Sequence, residues 1–400
     1  MSAEAPAASS TIQQPGLHRR LAAVYLFCVY LMAAASETFI SPFFPIVRHD
    51  LGLDVSNQAT LIAVLTTGIG LGNLIGGAAG YHVGDRLVVR AAALSMSIGA
   101  LVCATSQSFG QLLLGQAISG LGIGVFFAPG LASVGRMFAA TRGRALATYG
   151  LGYSLGTAAA AFAASIEGID WRVPFYVTSV LTLGLAIFAP ILLDATEGRA
   201  PAMWASLKGY LHSPLYRLSL VTALVAGAAT YIVIGFAPTL FVDRGITLTV
   251  VGVLIGVGRL ISVGGKFVSG WAYDRFGGPR SAQWIMFTIA ICGVPLVALP
   301  GGWGVIAVVP FVLIVSCLFP ISNALSVAGL PERSTWGIGV YRGLLVGSSA
   351  LLAGIVGLLL DHVSLNAVMY GSLLLPLAGG IAAGAMIRAE SSTPSVAGAH

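Results

Sequence analysis

Charged residues are the first thing that this sequence has little of. Only 8% of its 400 residues are Asp, Glu, Lys or Arg and 57% are hydrophobic, whereas a soluble domain carries about 25% charged residues. This balance excludes an ordinary soluble globular protein and indicates a chain that crosses a membrane many times. The net charge of +6 requires no nucleic-acid partner, because basic residues that flank membrane spans account for it.

Cysteine is equally scarce, and histidine is scattered. The four cysteines fall far apart inside apolar runs and form no CxxC pair, and the six histidines show no metal-ligand spacing. We therefore predict no disulfide framework, no metal site and no cofactor. Residues 1–20 contain no apolar core, so we expect no cleaved signal peptide and a first span that serves as the insertion signal.

Long apolar runs are what the chain has instead, and twelve of them can cross roughly 30 Å of hydrocarbon as helices. We predict spans at residues 21–45, 57–80, 90–107, 110–134, 145–165, 173–193, 217–240, 248–272, 281–299, 304–328, 337–360 and 366–387. The sequence thus predicts an all-α membrane protein with twelve transmembrane helices. Its parts are a tail at 1–20, a six-helix bundle at 21–193, a polar linker at 194–216, a second six-helix bundle at 217–387 and a tail at 388–400.

The distribution of Lys and Arg predicts the orientation of these spans. If the amino terminus lies in the cytoplasm, 14 of the 20 Lys and Arg residues fall in cytoplasmic segments and only three in outer segments. Basic residues are retained on the cytoplasmic side of a membrane. We therefore expect both termini in the cytoplasm and the protein in the cell inner membrane.

Two loops carry a related charged pattern, one after the second span and one after the eighth. Corresponding residues of the two copies lie 189 or 190 positions apart. They are Gly80, Asp85, Arg86 and Arg90 in the first copy and Gly270, Asp274, Arg275 and Arg280 in the second. Both copies resemble the G-x-x-x-D-R-x-G-x-x-R loop of the major facilitator superfamily. The second copy fits better, because Val88 replaces the second glycine in the first.

The resemblance implies the fold and the mechanism of that superfamily. Two pseudo-symmetric six-helix halves, related by a parallel repeat, would expose a central site to each side of the membrane in turn. In the family this loop holds the two halves together on the cytoplasmic side, so the eight loop residues are candidates for a conformational latch. The expected partner of Asp85 is the start of the eleventh span, where Ser334 and Thr335 are available helix caps.

Two further motifs agree with the resemblance to the superfamily. Two positions differ from patterns that many of its members share. Residues 170–175 (DWRVPF) resemble the W-R-x-P-F opening of the family's sixth span, and residues 142–145 resemble the usual opening of the fifth. Gln116 stands where many members carry a buried arginine linked to proton coupling. Thr157 follows Gly156 where drug antiporters carry proline, which weighs against a drug exporter.

Glycines recur every fourth residue in two spans and form ridges. They are Gly68, Gly72, Gly76 and Gly80 in the second span and Gly339, Gly343 and Gly347 in the eleventh. Small residues at this spacing let helix backbones approach closely. Because the second and eleventh helices of the superfamily meet between the halves, we expect the ridges there, either as sliding surfaces or as tight static packing.

Four charged residues fall inside predicted spans and away from the first residue of any span; at such positions charge is costly and usually functional. Glu37 is the only acid among them; a carboxyl group in a low-dielectric medium can exchange a proton near neutral pH, so we predict proton coupling there, with a structural ion pair as the alternative. Arg259 is central in the eighth span, and Lys266 follows two turns later on the same face. Arg259 is expected to be neutralised by the substrate or by Glu37.

Arg342, just inside the eleventh span, is a further candidate for substrate binding, with gate closure as the alternative. Uncharged residues within the spans are weaker candidates for lining the substrate path. They are Gln116, Tyr153, Tyr231 and Asn323, with Asn73 and Tyr149 behind them.

Other classes of membrane protein lack support in the sequence. Gly265 and Lys266 are followed by Phe267 rather than Ser or Thr, so they form no nucleotide-binding P-loop. No Asp-rich loop indicates a prenyltransferase, no filter-like loop indicates a channel, and a retinal protein would have seven spans. An enzyme is therefore not predicted.

The prediction is a secondary active transporter that moves a small organic anion, of the carboxylate type, together with protons. A proton-coupled exporter of drugs or amphipathic metabolites is the alternative. Its partners would be the small-molecule substrate, protons and the lipid bilayer, and the chain is expected to act as a monomer.

Overall fold

The computed structural model describes residues 16–138, 142–193, 212–300, 302–328 and 335–392. Within these residues the chain forms fifteen α-helices and no strand. Most of the predicted tails and linker lies outside the described residues, as does Ser334, one of the two expected partners of Asp85.

Twelve membrane crossings follow from the helices, because three crossings consist of two consecutive helices each: α1 with α2, α8 with α9, and α14 with α15. The bounds are α1 Gly16–Thr38, α2 Ile40–Leu51, α3 Val55–Val83, α4 Asp85–Ala104, α5 Phe109–Met137, α6 Arg142–Ala164, α7 Val173–Leu192, α8 Pro214–Ala228, α9 Gly235–Asp243, α10 Leu248–Phe276, α11 Gly278–Ala298, α12 Val308–Ala328, α13 Thr335–Leu360, α14 Leu365–Ser372 and α15 Leu374–Ser392. A π-helical turn at Ala229–Ile234 joins α8 to α9, and a 3₁₀ turn at Trp303–Ala307 precedes α12.

Eleven of these crossings are long and apolar enough to span a membrane by length and composition alone. The twelfth, α6, has 23 residues and is also long enough. Its lower apolarity comes from Tyr149, Tyr153, Ser154 and Thr157, which it carries toward the interior rather than toward lipid.

An even number of crossings brings the start of α1 and the end of α15 to the same side, which we call the terminal side; the opposite side is the distal side. The two halves touch closely on the distal side. Gln58 of α3, fully buried, donates to the Gly235 carbonyl at 2.8 Å and accepts from Thr239 Oγ1 at 2.7 Å. Arg48 and Asp243 add an exposed ion pair at 3.2 Å. These contacts close the distal side of the molecule.

The opening of α7 ties three elements of the first half together on the distal side. Trp171, which is buried, donates from Nε1 to Asp50 Oδ2 at 3.0 Å, and Arg172 pairs with the same oxygen at 2.9 Å. Arg172 also donates to the Ser106 carbonyl at 3.2 Å. The family-like tryptophan and arginine therefore fix the end of α2 and the loop after α4 to the start of α7.

The structure shifts the register of the repeat that the charged loops suggested. Gly84 precedes α4 with φ +80°, and Gly277 precedes α11 with φ +83°, a conformation that L side chains rarely adopt. These turn glycines correspond in structure, yet Asp85 follows its turn while Asp274 precedes its own. The two aspartates are therefore not structurally equivalent, because the first loop holds its glycine immediately before the Asp-Arg pair.

The glycine ridge of α3 does not face α13. A Cβ atom placed on Gly68 or Gly72 would meet the backbone of α5, at Ala117 and Leu121 respectively. Gly70 is the residue that approaches α13, with Gly343 O at 3.3 Å from its ideal Cβ position. The predicted ridge of α3 thus packs against α5 within the first half, and the contact with α13 uses a different face of α3.

We predict that Gly124→Ala lowers the melting temperature of the detergent-solubilised protein. A Cβ atom on Gly124 would overlap the Ile69 carbonyl and lie 2.8 Å from the Asn73 nitrogen. Overpacking of this kind costs about 1–3 kcal/mol because the two backbones must separate. The control is Gly264→Ala, whose added Cβ meets nothing within 4 Å. Equal melting temperatures for the two variants would contradict close α3–α5 packing.

Candidate functional site

A central cavity of about 350 Å³ lies between the two halves. Its lining residues come from α1, α5, α6, the π-turn, α10, α12 and α13, and most of them belong to the parts of these helices that lie toward the terminal side. The side chains that matter below are Tyr30, Glu37, Phe127, Tyr153, Tyr231, Lys266, Asn323 and Arg342. The cavity therefore extends from the middle of the bundle toward the terminal side, while the distal side is closed.

Glu37 lies at the inner end of this cavity and is held by two tyrosines. Tyr153 of α6 donates to Glu37 Oε1 at 3.0 Å, and Tyr231 donates to the same oxygen. Glu37 is only 5% exposed, and its second oxygen, Oε2, is buried without a hydrogen-bond partner. Because Tyr231 belongs to the second half, this acid connects the two halves through one carboxylate oxygen.

The position of Tyr231 depends on the π-helical turn between α8 and α9. Pro238 has no N–H to offer the carbonyl four residues earlier, and such interruptions produce irregular turns in membrane helices. The turn at Ala229–Ile234 turns Tyr231 toward Glu37. Irregular π-turns of this kind are frequent at functional sites.

Lys266 lies nearer the terminal side than Glu37, and its side chain also forms a contact between the two halves. Its Nζ donates to Ser154 Oγ of α6 at 2.6 Å and lies 5.9 Å from the centre of the Tyr153 ring. The described residues include no carboxylate within 4.0 Å of this ammonium group. The ammonium group thus contacts a hydroxyl group and an aromatic ring, neither of which neutralises its charge, and Lys266 lines the cavity.

Arg342 of α13 lies on the other side of the cavity. Its guanidinium carbon is 4.3 Å from the centre of the Phe127 ring, and its buried Nε atom has no hydrogen-bond partner. It interacts electrostatically with Tyr30 and Glu37. No described carboxylate forms an ion pair with it either.

Arg259 is separated from the main cavity by Glu37 and Tyr231. It lines a second, smaller cavity of about 30 Å³ on the distal side, which we call the distal chamber. Glu37 and Tyr231 line both spaces and form the partition between them. Arg259 is 5% exposed and interacts electrostatically with Glu37, but no ion pair within 4.0 Å joins the two in the described structure.

The remaining uncharged candidates fall into different places. Asn323 lines the main cavity, as Tyr153 and Tyr231 do. Gln116 is buried between α4 and α5, where it donates to Cys103 Sγ at 3.6 Å, and it lines neither cavity. Asn73 donates to the Ile69 carbonyl within α3, and Tyr149 stacks on Tyr30 with ring centres 4.4 Å apart.

Three residues of the site were not predicted from the sequence. They are Ser154, which contacts Lys266, and Phe127 and Tyr30, which interact with Arg342. In the sequence each of them looks like an ordinary residue of a membrane helix. The signal for Ser154 was its place next to Tyr153. Nothing in the sequence distinguished Phe127 from the other aromatic residues of α5.

The first charged loop is partly buried and forms contacts within its own half. Asp85 Oδ2 accepts from Ser133 Oγ at 2.8 Å and pairs with Arg136, both at the end of α5. Its carboxylate also packs against Gly80, whose ideal Cβ lies 3.1 Å from Oδ1. Its predicted latch partners, Ser334 and the side chain of Thr335, lie outside the described structure, so the latch stays a prediction.

The other loop residues are mostly exposed on the terminal side. Arg90, Asp274, Arg275 and Arg280 are exposed, Arg86 and Gly270 are partly exposed, and a Cβ on Gly270 would meet nothing within 4 Å. Among the eight loop residues, Gly80 and Asp85 contact α5.

Comparison with known proteins gives this geometry its context. The sequence model of one protein family, the Major Facilitator Superfamily, matches residues 26–353 of this chain. The fold of this chain is also similar to a crystal structure of a bacterial homologue of the human lysosomal transporter Spinster, in an inward-facing and unoccupied conformation. The TM-score is 0.72 at 13% identity, over 94% of this chain and 98% of that one. This likeness supports the predicted all-α, twelve-helix fold.

Relatives of similar sequence are transporters with different substrates. Monocarboxylate transporter 13 of Rattus norvegicus is 28% identical over 236 residues, which are 57% of this chain and 55% of the relative. Puromycin resistance protein pur8 of Streptomyces alboniger is 27% identical over 201 residues, 49% of this chain and 40% of the relative. The chain thus spans about half the length of these relatives.

We predict that Asp85 and Arg136 are energetically coupled. Asp85→Asn and Arg136→Gln should each lower the free energy of unfolding, and the double variant should lose less than the sum of the two. An ion pair with one exposed partner gives a coupling of about 1 kcal/mol or less; since Asp85 is buried, we expect the upper end. Additive losses in a denaturant or thermal series would show that the pair contributes nothing.

Proposed function

Because this chain belongs to the Major Facilitator Superfamily of transporters, we propose that it carries a small organic anion of the carboxylate type by alternating access, together with protons. The observation that supports this most is the charge around the central cavity. Lys266 and Arg342 line it with neutral partners only, and Glu37 is the single acid among its described lining residues.

The cationic side chains that line the central cavity are costly to bury. A cation at membrane depth that has no counter-ion costs several kcal/mol. Lys266 and Arg342 outnumber Glu37 whether or not the acid is ionised, so the empty cavity carries an excess of positive charge. A carboxylate substrate removes that excess, and the fork of N–H donors on Arg342 suits its two oxygens.

Proton coupling is supported by the position of Glu37. Its carboxyl group faces the cavity and receives hydrogen bonds from tyrosines of both halves. A proton on Glu37 changes the net charge that the substrate meets, and it changes the strength of the contact with Tyr231, since an ionised oxygen accepts a stronger hydrogen bond than a neutral one. The same proton would therefore act on substrate affinity and on the contact between the halves.

The conformation and orientation fit an inward-facing carrier in the cell inner membrane. Under the orientation that the basic residues favour, the terminal side is cytoplasmic. The cavity would then open to the cytoplasm, and the contacts of Gln58 and Arg48 would be the outer gate.

A second candidate function, export of drugs or amphipathic metabolites, has one specific observation in its favour. Aromatic side chains make up much of the cavity lining, among them Tyr30, Phe127, Tyr153, Tyr231 and Phe319. Rings of this kind bind flat apolar molecules and cations. A resistance protein also stands among the relatives, but two cavity cations oppose a cationic drug.

We predict that small carboxylates stabilise the purified protein against heat and that their neutral amides do not. Arg342→Gln or Lys266→Gln should weaken carboxylate binding about tenfold or more, since each loses an ionic contact worth about 1.4 kcal/mol or more. Arg217→Gln, an exposed arginine outside both cavities, is the matched control and should bind normally. Stabilisation by lipophilic cations alone would favour the exporter instead.

We predict that Glu37→Gln abolishes substrate accumulation driven by a pH gradient in proteoliposomes. Exchange of labelled for unlabelled substrate should continue, because the neutral amide imitates the protonated acid and keeps an oxygen for the two tyrosines. Glu167→Gln removes an exposed loop acid and serves as control. Intact pH-driven uptake by the Glu37→Gln protein would show that the proton is carried elsewhere.

A further inference from the structure

The distal chamber is the part of the molecule that the proposed transport site leaves unexplained. Arg259 is always ionised and offers five N–H donors. Its side chain has no hydrogen bond or ion pair with the described residues, although it is 5% exposed. The cost of such an isolated buried cation requires something in the chamber to accept its hydrogen bonds.

The side chains around the chamber present a guanidinium group and a hydroxyl group that have no hydrogen-bond partner. Thr230, which is 6% exposed, lines the chamber with a hydroxyl group that has no partner. The hydroxyl groups of Thr38 and Thr157 already donate to backbone carbonyls. Among these lining residues, Glu37 Oε2 is the carboxylate oxygen that has no hydrogen-bond partner.

We propose that the distal chamber is a binding site for a small inorganic anion such as chloride, held by Arg259 and the Thr230 hydroxyl group. A cationic, donor-rich space is complementary to a ligand that only accepts hydrogen bonds. Its volume of about 30 Å³ exceeds the roughly 10–15 Å³ that one water needs, so a monatomic anion fits and a carboxylate substrate of several carbon atoms does not.

Glu37 links this site to the main cavity, and this step rests on the proposed function. The groups that face Glu37 are Tyr153, Tyr231 and Tyr30, and the cations Arg259 and Arg342. An ionised Glu37 already partly compensates Arg259 and repels a second negative charge. The anion therefore binds best when Glu37 is neutral, and it replaces the ionised acid as the counter-charge of Arg259.

The test is a chloride titration of the purified protein, monitored by melting temperature, against sodium methanesulfonate at constant ionic strength and with no carboxylate present. We expect a saturable rise in melting temperature. It should disappear in Arg259→Gln and weaken in Thr230→Val, which removes only the hydroxyl group. In Glu37→Gln the apparent Kd for chloride should fall about tenfold or more, since a neighbouring negative charge is gone.

Lys266→Gln is the matched control, because it removes a cation of the main cavity and should leave the chloride effect unchanged. Loss of the effect in Lys266→Gln but not in Thr230→Val would place the anion in the main cavity and overturn the proposal. Absence of any chloride effect, even in Glu37→Gln, would overturn it as well and leave water in the chamber. If Arg259→Gln does not fold, Thr230→Val and Glu37→Gln still decide.

Failure of this inference is distinguishable from failure of the proposed function. Carboxylate binding, measured in the same variants, depends on Lys266 and Arg342, whereas chloride binding depends on Arg259 and Thr230. A protein that binds carboxylates normally but shows no chloride effect refutes only the distal site.

Discussion

The cost of placing charge inside a membrane is the constraint on which the rest of this structure depends. Four ionisable side chains lie at membrane depth, and no ion pair within 4.0 Å joins any two of them in the described structure. Three of them are held by hydroxyl groups and aromatic rings instead: Glu37 by two tyrosines, Lys266 by Ser154 and Arg342 by the Phe127 ring. Such partners lower the cost of burial without removing the charge. The site is consequently folded but contains charges that no counter-ion compensates. A ligand of opposite charge would compensate them on binding.

Composition and the lengths of the apolar runs were enough to predict an all-α protein with many spans. Twelve apolar runs predicted the helical, multi-spanning class because hydrocarbon admits few other backbone structures, and the run at residues 145–165 predicted α6 as one of the spans. The charged loops identified the superfamily, but their register was off by a few residues, since a glycine turn can occupy either side of an Asp-Arg pair. The ridge of α3 was placed on the wrong interface because small residues at spacing four mark a close contact without saying which helix makes it. Only the positions of neighbouring backbones decide that.

The site was predictable in its charged members and in three polar ones, Tyr153, Tyr231 and Asn323. Charge at membrane depth is rare enough to be read from one sequence, so Glu37, Lys266 and Arg342 could be named as candidates, and the cavity brings these three together. Their neutral partners carry no such signal, because serine and phenylalanine are common in membrane helices. Sequence position also does not tell which side of a partition a residue occupies. Arg259 and Lys266 share a helix face, yet Glu37 and Tyr231 separate them into different cavities.

The same few contacts also relate the site to the conformational change that transport requires. Two polar contacts beside the cavity cross between the halves: Tyr231 to Glu37 and Lys266 to Ser154. An anion that takes Lys266 away from Ser154, or a proton that weakens the acceptor on Glu37, loosens a contact that joins the halves beside the cavity. A ligand shifts a conformational equilibrium only by its difference in affinity for the two states. In the proposed mechanism, substrate and proton act on these contacts between the halves, so each would have the means to produce such a difference. The hydroxyl groups that make burial of the charges tolerable are therefore also the groups through which binding can favour one conformation over the other.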